Sequence, residues 1–216
     1  MTSITDHASL KVAILDETQR TGNAAFVLLL PRFIQAAEQA IFYGWDTLPS
    51  ARLQDMETDA DVTFTSGVGA VPADFLEQVS LYWDSDLNIE PEYVTAQDFY
   101  ELRNRTTSTY PSLYTVKGSS LLLSPAASGT GKLRYYAKYA ALSADADTNW
   151  ILTNAPLIYF HTACYFAFKR LRNDEKVAEH ARDYASALTG VTRSNERART
   201  SGRRLRPFIK AALIRC

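Results

Sequence analysis

Leu113-Tyr114-Thr115-Val116-Lys117-Gly118-Ser119-Ser120-Leu121-Leu122-Leu123-Ser124-Pro125, continued by Ala126-Ala127-Ser128-Gly129-Thr130-Gly131-Lys132-Leu133-Arg134-Tyr135-Tyr136-Ala137-Lys138-Tyr139, is the stretch that decides the fold. Three largely apolar runs, 114–116, 121–123 and 133–137, are parted by Lys117-Gly118-Ser119 and by the Pro-, Ser- and Gly-containing residues 125–131. Glycine accepts positive φ and proline lacks the N–H a ladder needs, so both separators turn the chain. The spacing predicts an antiparallel three-stranded meander. Upstream, Val62-Thr63-Phe64 and Val79-Ser80-Leu81-Tyr82-Trp83 add short strands among frequent Pro, Gly and Ser. Residues 45–148 therefore read as a β-rich insertion.

On both sides of it the apolar period changes from two to about 3.6. In 8–20, Leu10, Ile14 and Leu15 recur at helical spacing until Thr21-Gly22-Asn23. A second helix is predicted over 31–43, with Pro31 in its first turn, Phe33, Ile34, Ala37 and Ile41 as its stripe, and Gly44 as its stop. After Asn149, Thr153 or Asn154 can cap a helix whose first turn holds Pro156, and 157–172 is apolar nearly all round. That makes it the central buried helix. Asn173-Asp174 then opens an amphipathic helix carrying Val177, Ala181, Tyr184, Ala185 and Leu188 on one side. The fold class is α+β: an α-helical bundle from 1–44 and 149–197, the β-rich antiparallel meander insertion 45–148, and an extended C-terminal arm 198–216. Ile34, Ile41, Leu157, Phe160, Tyr184 and Leu188 are the expected helical core.

The chain has 216 residues, 46% of them hydrophobic, enough for one sizeable core or a core with a satellite. Its start lacks the basic flank and apolar run of a secretory signal, and the apolar residues 151–168 are interrupted by Asn154, Pro156 and His161. A cytosolic origin with no membrane partner is the expectation. The net charge of −1 conceals a polarity: residues 1–100 hold 16 acidic and 4 basic side chains, and 101–216 hold 8 and 19. Opposite poles suit head-to-tail association of copies or attraction of one end to an acidic partner. The alternative is a monomer whose charges interleave on its surface.

Catalytic motifs are incomplete. Gly129-Thr130-Gly131-Lys132 has Ala126 where a phosphate loop needs glycine, and Leu133 where it needs Ser or Thr. His161 and Cys164, three apart on the central helix, are two ligands where a tetrahedral ion needs four. His161 reads as a core histidine, and no metal or cofactor is expected. Cys164 and Cys216 form no disulfide framework and should be reduced. His180 with Asp183 has the spacing of an oriented base but no nucleophile motif beside it. Asp55, Glu57, Asp59 and Asp61 lack the glycine and terminal glutamate of a calcium loop and read as a solvated acidic face. From 193 to 216, eight residues are Arg or Lys and one is Glu, ending in Pro207-Phe208-Ile209-Lys210-Ala211-Ala212-Leu213-Ile214. Arg197, Arg199, Arg203, Arg204 and Arg206, with Phe208, Ile209, Leu213 and Ile214, are the candidate binding residues. A protein groove for the apolar tip is favoured over DNA for the arginines, because the tail has a single aromatic residue and no recognition fold.

Several ordered segments also carry a likeness. Tyr110-Pro111-Ser112-Leu113-Tyr114-Thr115-Val116-Lys117-Gly118, residues 121–125, Ser128-Gly129 and residues 133–143 resemble the head-to-tail adaptor (connector) proteins of tailed bacteriophages. Thr148-Asn149-Trp150-Ile151-Leu152-Thr153-Asn154-Ala155-Pro156-Leu157-Ile158-Tyr159 continues the pattern, as do Val71-Pro72-Ala73-Asp74-Phe75-Leu76-Glu77 and Glu92-Tyr93-Val94 upstream. The similarity spans 33–188. Pro31, the apparent insertion 45–50 before Arg52-Leu53-Gln54-Asp55-Met56-Glu57, and Leu157 in place of an acidic residue after Pro156 depart from it. The resemblance implies a virion structural protein at the head–tail interface, assembled in the bacterial host's cytoplasm. It implies a twelve-membered ring under the portal protein that receives tail-tube or nozzle proteins and lets genomic DNA pass without sequence-specific binding. It carries no catalytic residues. The alternative from another class is a DNA-binding protein using the arginine-rich tail.

Overall fold

Helix α1 (His7–Glu17) begins where Asp6 accepts the Ser9 N–H at 2.8 Å while the Asp6 N–H donates to Ser9 Oγ at 3.0 Å, a reciprocal cap. Its buried face is His7, Leu10 and Ile14. The computed structural model describes residues 3–83, 89–104 and 108–200, with side chains to 197. A four-residue turn of helix, α2 (Ala24–Val27), is capped by Asn23 and leads into α3 (Leu30–Tyr43), with Pro31 in the first turn. On α3 the buried positions Leu30, Phe33, Ile34, Ala37 and Ile41 follow the helical period and form its inner face. Gly44 at φ 80° ends it, a conformation that glycine adopts without steric cost. Residues 24–43 have a mean hydropathy of 1.3, long and apolar enough by composition to cross a membrane, but half of the stretch is buried in the core.

The chain then ties itself to the bundle before entering the sheet. Trp45 and Leu48 exchange backbone hydrogen bonds in a tight loop, Leu48 is buried, and the Tyr184 hydroxyl donates to Pro49 O at 2.5 Å. A short 3-10 turn (Gln54–Met56) delivers the chain to β1 (Glu57–Thr65), which turns through Ser66 and Gly67, both at positive φ, into β2 (Val68–Ala70). Then come β3 (Phe75–Trp83), β4 (Glu92–Tyr93), α4 (Ala96–Leu102), β5 (Leu113–Lys117), β6 (Ser120–Ser124) and β7 (Gly129–Ala137). Among the described residues, seven strands form one sheet in the order β3-β7-β1-β2-β6-β5-β4, with only the β4–β5 pair parallel.

The three runs expected as a meander are all strands, but only β5 and β6 are neighbours. β6 pairs with β2, and β7 lies beyond the β1–β2 hairpin, between β1 and β3. Contacts at the hairpin tip show how. Residues 125–128 cross over it: the Gly67 N–H donates to Ala127 O at 2.8 Å and the Ser66 N–H to Ser128 Oγ at 2.9 Å. A Cβ on Gly67 would fall 2.8 Å from Ala126 Cα, so only glycine lets the crossing chain approach so closely.

After β7, residues 138–149 return to the helices. Asp147 accepts from the Ser143 and Ala144 N–H groups, and His7 and Ala8 donate backbone hydrogen bonds to Asp147 O and Asp145 O. Asn149, not Thr153 or Asn154, is the cap, and it starts a separate short helix, α5 (Trp150–Asn154). α6 (Pro156–Leu171) follows without a side-chain cap, since Ala155 and Pro156 make the corner. Arg172 takes the left-handed conformation, and Asn173 Oδ1 accepts from Lys176 N–H at the start of α7 (Asp174–Thr200). α7 continues through 198–200, where the sequence suggested that an extended arm begins.

Two hydrophobic clusters result. The helical one joins α1, α3, α5, α6 and α7 and includes Leu48, Ala51, Leu53, Met56 and Leu142, so it draws on residues from both flanks of the sheet segment. Leu157 does not belong to it: in the first turn of α6 it is 47% exposed, while Ile158, Tyr159 and Phe160 are buried. The sheet cluster comprises Val62, Phe64, Leu81, Trp83, Tyr114, Leu121, Leu123, Leu133 and Tyr135. Each fully buried aliphatic or aromatic side chain contributes about 1.5–3 kcal/mol.

Candidate functional site

The glycines of Gly129-Thr130-Gly131-Lys132 lie on strand β7, and a Cβ on Gly131 would meet the Phe64 ring at 3.1 Å. They make room for packing, and the segment opens no helix. Of the acidic series, Asp59 accepts from Arg134 Nε at 2.9 Å and Glu57 lies 3.7 Å from the same nitrogen. The Arg134 guanidinium holds the Asp59 carboxyl below its ordinary range. Asp59 and Arg134 face each other across β1 and β7, which makes the pair a cross-strand contact of the sheet.

His161 and Cys164 do not converge. Cys164 is fully buried in the helical core, and that burial pushes its thiol up. His161 instead turns toward α7, where its Nδ1 lies 3.0 Å from Nδ1 of His180 and 3.9 Å from Asp183 Oδ2. His180 is 2% exposed, stacked on Phe168 at 5.3 Å and 14° between planes. Burial lowers both imidazoles from their usual value. The sequence signal was available: one histidine on each of two adjacent helices, with a carboxylate three residues on. The pairing between helices was not.

Of the candidate binding residues, Arg197 is exposed near the end of α7, and Arg199 lies in its last turn. Arg203, Arg204, Arg206, Phe208, Ile209, Leu213 and Ile214 lie outside the described residues. α7 spans 27 residues, about 40 Å at helical rise. Tyr184 and Leu188 are buried against the bundle, whereas Arg193, Ser194, Glu196 and Arg197 are exposed. The basic C-terminal segment is thus carried on a helix anchored in the core.

A second exposed feature lies where the helices meet the sheet. Tyr43 is 62% and Trp45 50% exposed, with Lys138 donating to the Tyr43 hydroxyl at 3.1 Å and Lys169 set 5.9 Å from the Trp45 ring. Tyrosine and tryptophan are among the side chains enriched at the centres of protein interfaces.

A family model described as SU10 adaptor protein matches residues 5–207. The chain belongs to the SU10 adaptor protein family. This is a phage head-tail adaptor family, in agreement with the resemblance read from residues 33–188. The match takes in nearly the whole described chain, including α1 and the full length of α7. The adaptor is accordingly a structural component of the virion, and its family is not an enzyme class. No curated protein matches the adaptor's sequence.

Proposed function

We propose that this adaptor forms a ring between the portal protein and the tail, with the C-terminal segment beyond α7 as the arm that docks on the portal. The family match carries the reading. The acidic first half and the basic second half of the sequence interleave in the fold, where β1 pairs with β7 and Asp59 with Arg134, so the ring, twelve-membered in the assembled virion, rests on the family match and not on charged poles. One feature of the chain supports the arm. The helix that bears the arm is fixed in the core by Tyr184 and Leu188, so the arm's root is held while residues 201–216 can span up to about 55 Å if extended.

In this reading Phe208, Ile209, Leu213 and Ile214 enter a groove on the portal, and Arg197, Arg199, Arg203, Arg204 and Arg206 pair with carboxylates along the approach. The sheet segment 57–137 faces tail-tube or nozzle proteins. Genomic DNA passes through the ring without sequence-specific contacts, and assembly takes place in the host cytoplasm. The chain's division follows the same logic: a bundle that anchors, a sheet unit that presents a surface, and an arm that reaches.

The test mixes purified adaptor with its cognate portal and images the product by negative stain. Rings on the portal are expected with the full chain, and loss of binding after removal of 201–216. Changing the five arginines to glutamine should mainly slow association and flatten its salt dependence. Unchanged portal affinity after the deletion would contradict the docking role, and a shifted DNA gel from a chain that ignores portal would favour the DNA-binding alternative.

A further inference from the structure

We infer that His161, His180 and Asp183 form a binding site for one divalent transition-metal ion of the zinc class, which clips α7 to α6. The three groups each present a ligand atom, and these atoms lie within 4.8 Å of one another. One ligand comes from α6 and two from successive turns of α7, so an ion among them links two helices that already pack against each other. This inference does not depend on the ring or portal reading.

The histidine geometry favours an ion. The two Nδ1 atoms face each other at 3.0 Å, so without an ion only a single proton fits between them, and one ring must donate to the other. Around a tetrahedral zinc, with bonds of about 2.0–2.1 Å, neighbouring ligand atoms stand about 3.4 Å apart. The pair therefore needs to open by only a few tenths of an ångström. Asp183 Oδ2, at 3.9 Å from His161 Nδ1, needs to close by about half an ångström, and the widest separation in the cluster, up to 4.8 Å, by up to about 1.4 Å. The Asp183 side chain is half-exposed, so a rotamer change is open to it and water can take the fourth position.

The far side of the His180 ring supports the same arrangement. His180 Nε2 is buried without a hydrogen-bond partner, and Glu17 Oε1 of α1 lies 3.8 Å from it. Metal-bound histidines commonly donate their other N–H to a carboxylate, which fixes the tautomer and strengthens the ligand. With both Nδ1 lone pairs on the ion, Nε2 of His180 carries its proton toward Glu17. The rings are already held in that orientation, His180 by stacking on Phe168 and His161 by its edge contact with Phe160. Lys176, near Glu17 and Glu179, is the cation facing the cluster. Two imidazoles and a carboxylate suit zinc, cobalt or nickel better than calcium or magnesium.

Full-length, tag-free chain treated with chelator and then titrated calorimetrically with zinc chloride tests this. One equivalent should bind, the thermal midpoint should rise, and cobalt should give the visible bands of a four-coordinate site. His161→Gln should abolish binding. Glu17→Gln, which leaves all three ligands in place, should weaken it roughly 10- to 100-fold. His7→Gln, at the remaining histidine of the sequence, should leave it unchanged. If His161→Gln perturbs the fold by circular dichroism, Asp183→Asn at a half-exposed position provides the same reading. No zinc uptake by the wild type, or uptake that survives both ligand substitutions, would overturn the proposal.

Discussion

At the residue scale the helical core behaves as its periodicity suggested, with one exception that separates two side chains three positions apart. Phe160 is 5% exposed, whereas Leu157, three residues earlier on the same side of the helix but in its first turn, is 47% exposed. Phe160→Ala should therefore cost about 3–5 kcal/mol in urea unfolding, and Leu157→Ala about 0.5 kcal/mol or less. Equal losses would mean that Leu157 is covered in the free chain. Glu38 offers a pH signature. It is 8% exposed, its Oε1 accepts from the Leu142 N–H at 2.8 Å, and burial raises its carboxyl above the ordinary 4.5, partly offset by that bond and by Tyr159. A raised folded-state value means that folding favours the protonated form. The contribution of this group is thus full below pH 4.5 and is lost as pH rises through the folded-state value. The stability of wild type relative to Glu38→Gln should fall as pH is raised from 4 to 7, and a constant difference would contradict the sign. None of this was legible beforehand, because nothing in the spacing of α3 marks Glu38 as the partner of a backbone group 104 residues away.

Among the elements, the long helices and most strands could be read from the chain, since apolar period and the stops at Gly44 and Asn173 are local signals. Adjacency could not. A meander was the reading for three consecutive strands because β7 follows β6 closely, yet the decisive residues are Ser66 and Gly67, whose hairpin lies between them and is crossed by 125–128. The α5–α6 corner was missed for a similar reason: Asn149 and Thr153 are both good caps, and the Ala155 backbone chooses between them. The sheet unit has a natural place to be cut, since Glu57 pairs with Tyr136 and its two ends are neighbours. Replacing 58–135 by a short linker should leave the helices folded by circular dichroism. Replacing 45–139 should not, because it removes Leu48, Ala51, Leu53 and Met56 from the helical core. Equal loss of helix in both would show that the sheet and bundle fold only together.

At the scale of the whole molecule, an anchored helix and a basic segment beyond it form one architecture for a phage adaptor. The arginine-rich segment was conspicuous in the sequence as composition, and its attachment to a continuous α7 through Thr200 gives that composition a fixed root. The histidine–aspartate cluster was hidden because each of its residues looks ordinary on its own helix and acquires meaning only from the packing of α6 on α7. An asymmetric cryo-electron-microscopy reconstruction of the head–tail junction in intact virions tests the central claim most directly. A ring of twelve copies of this fold is expected beneath the portal, with α7 pointing toward the head and its C-terminal segment seated in portal grooves. A junction fully accounted for by other proteins, with this chain absent from the purified particle, would contradict it.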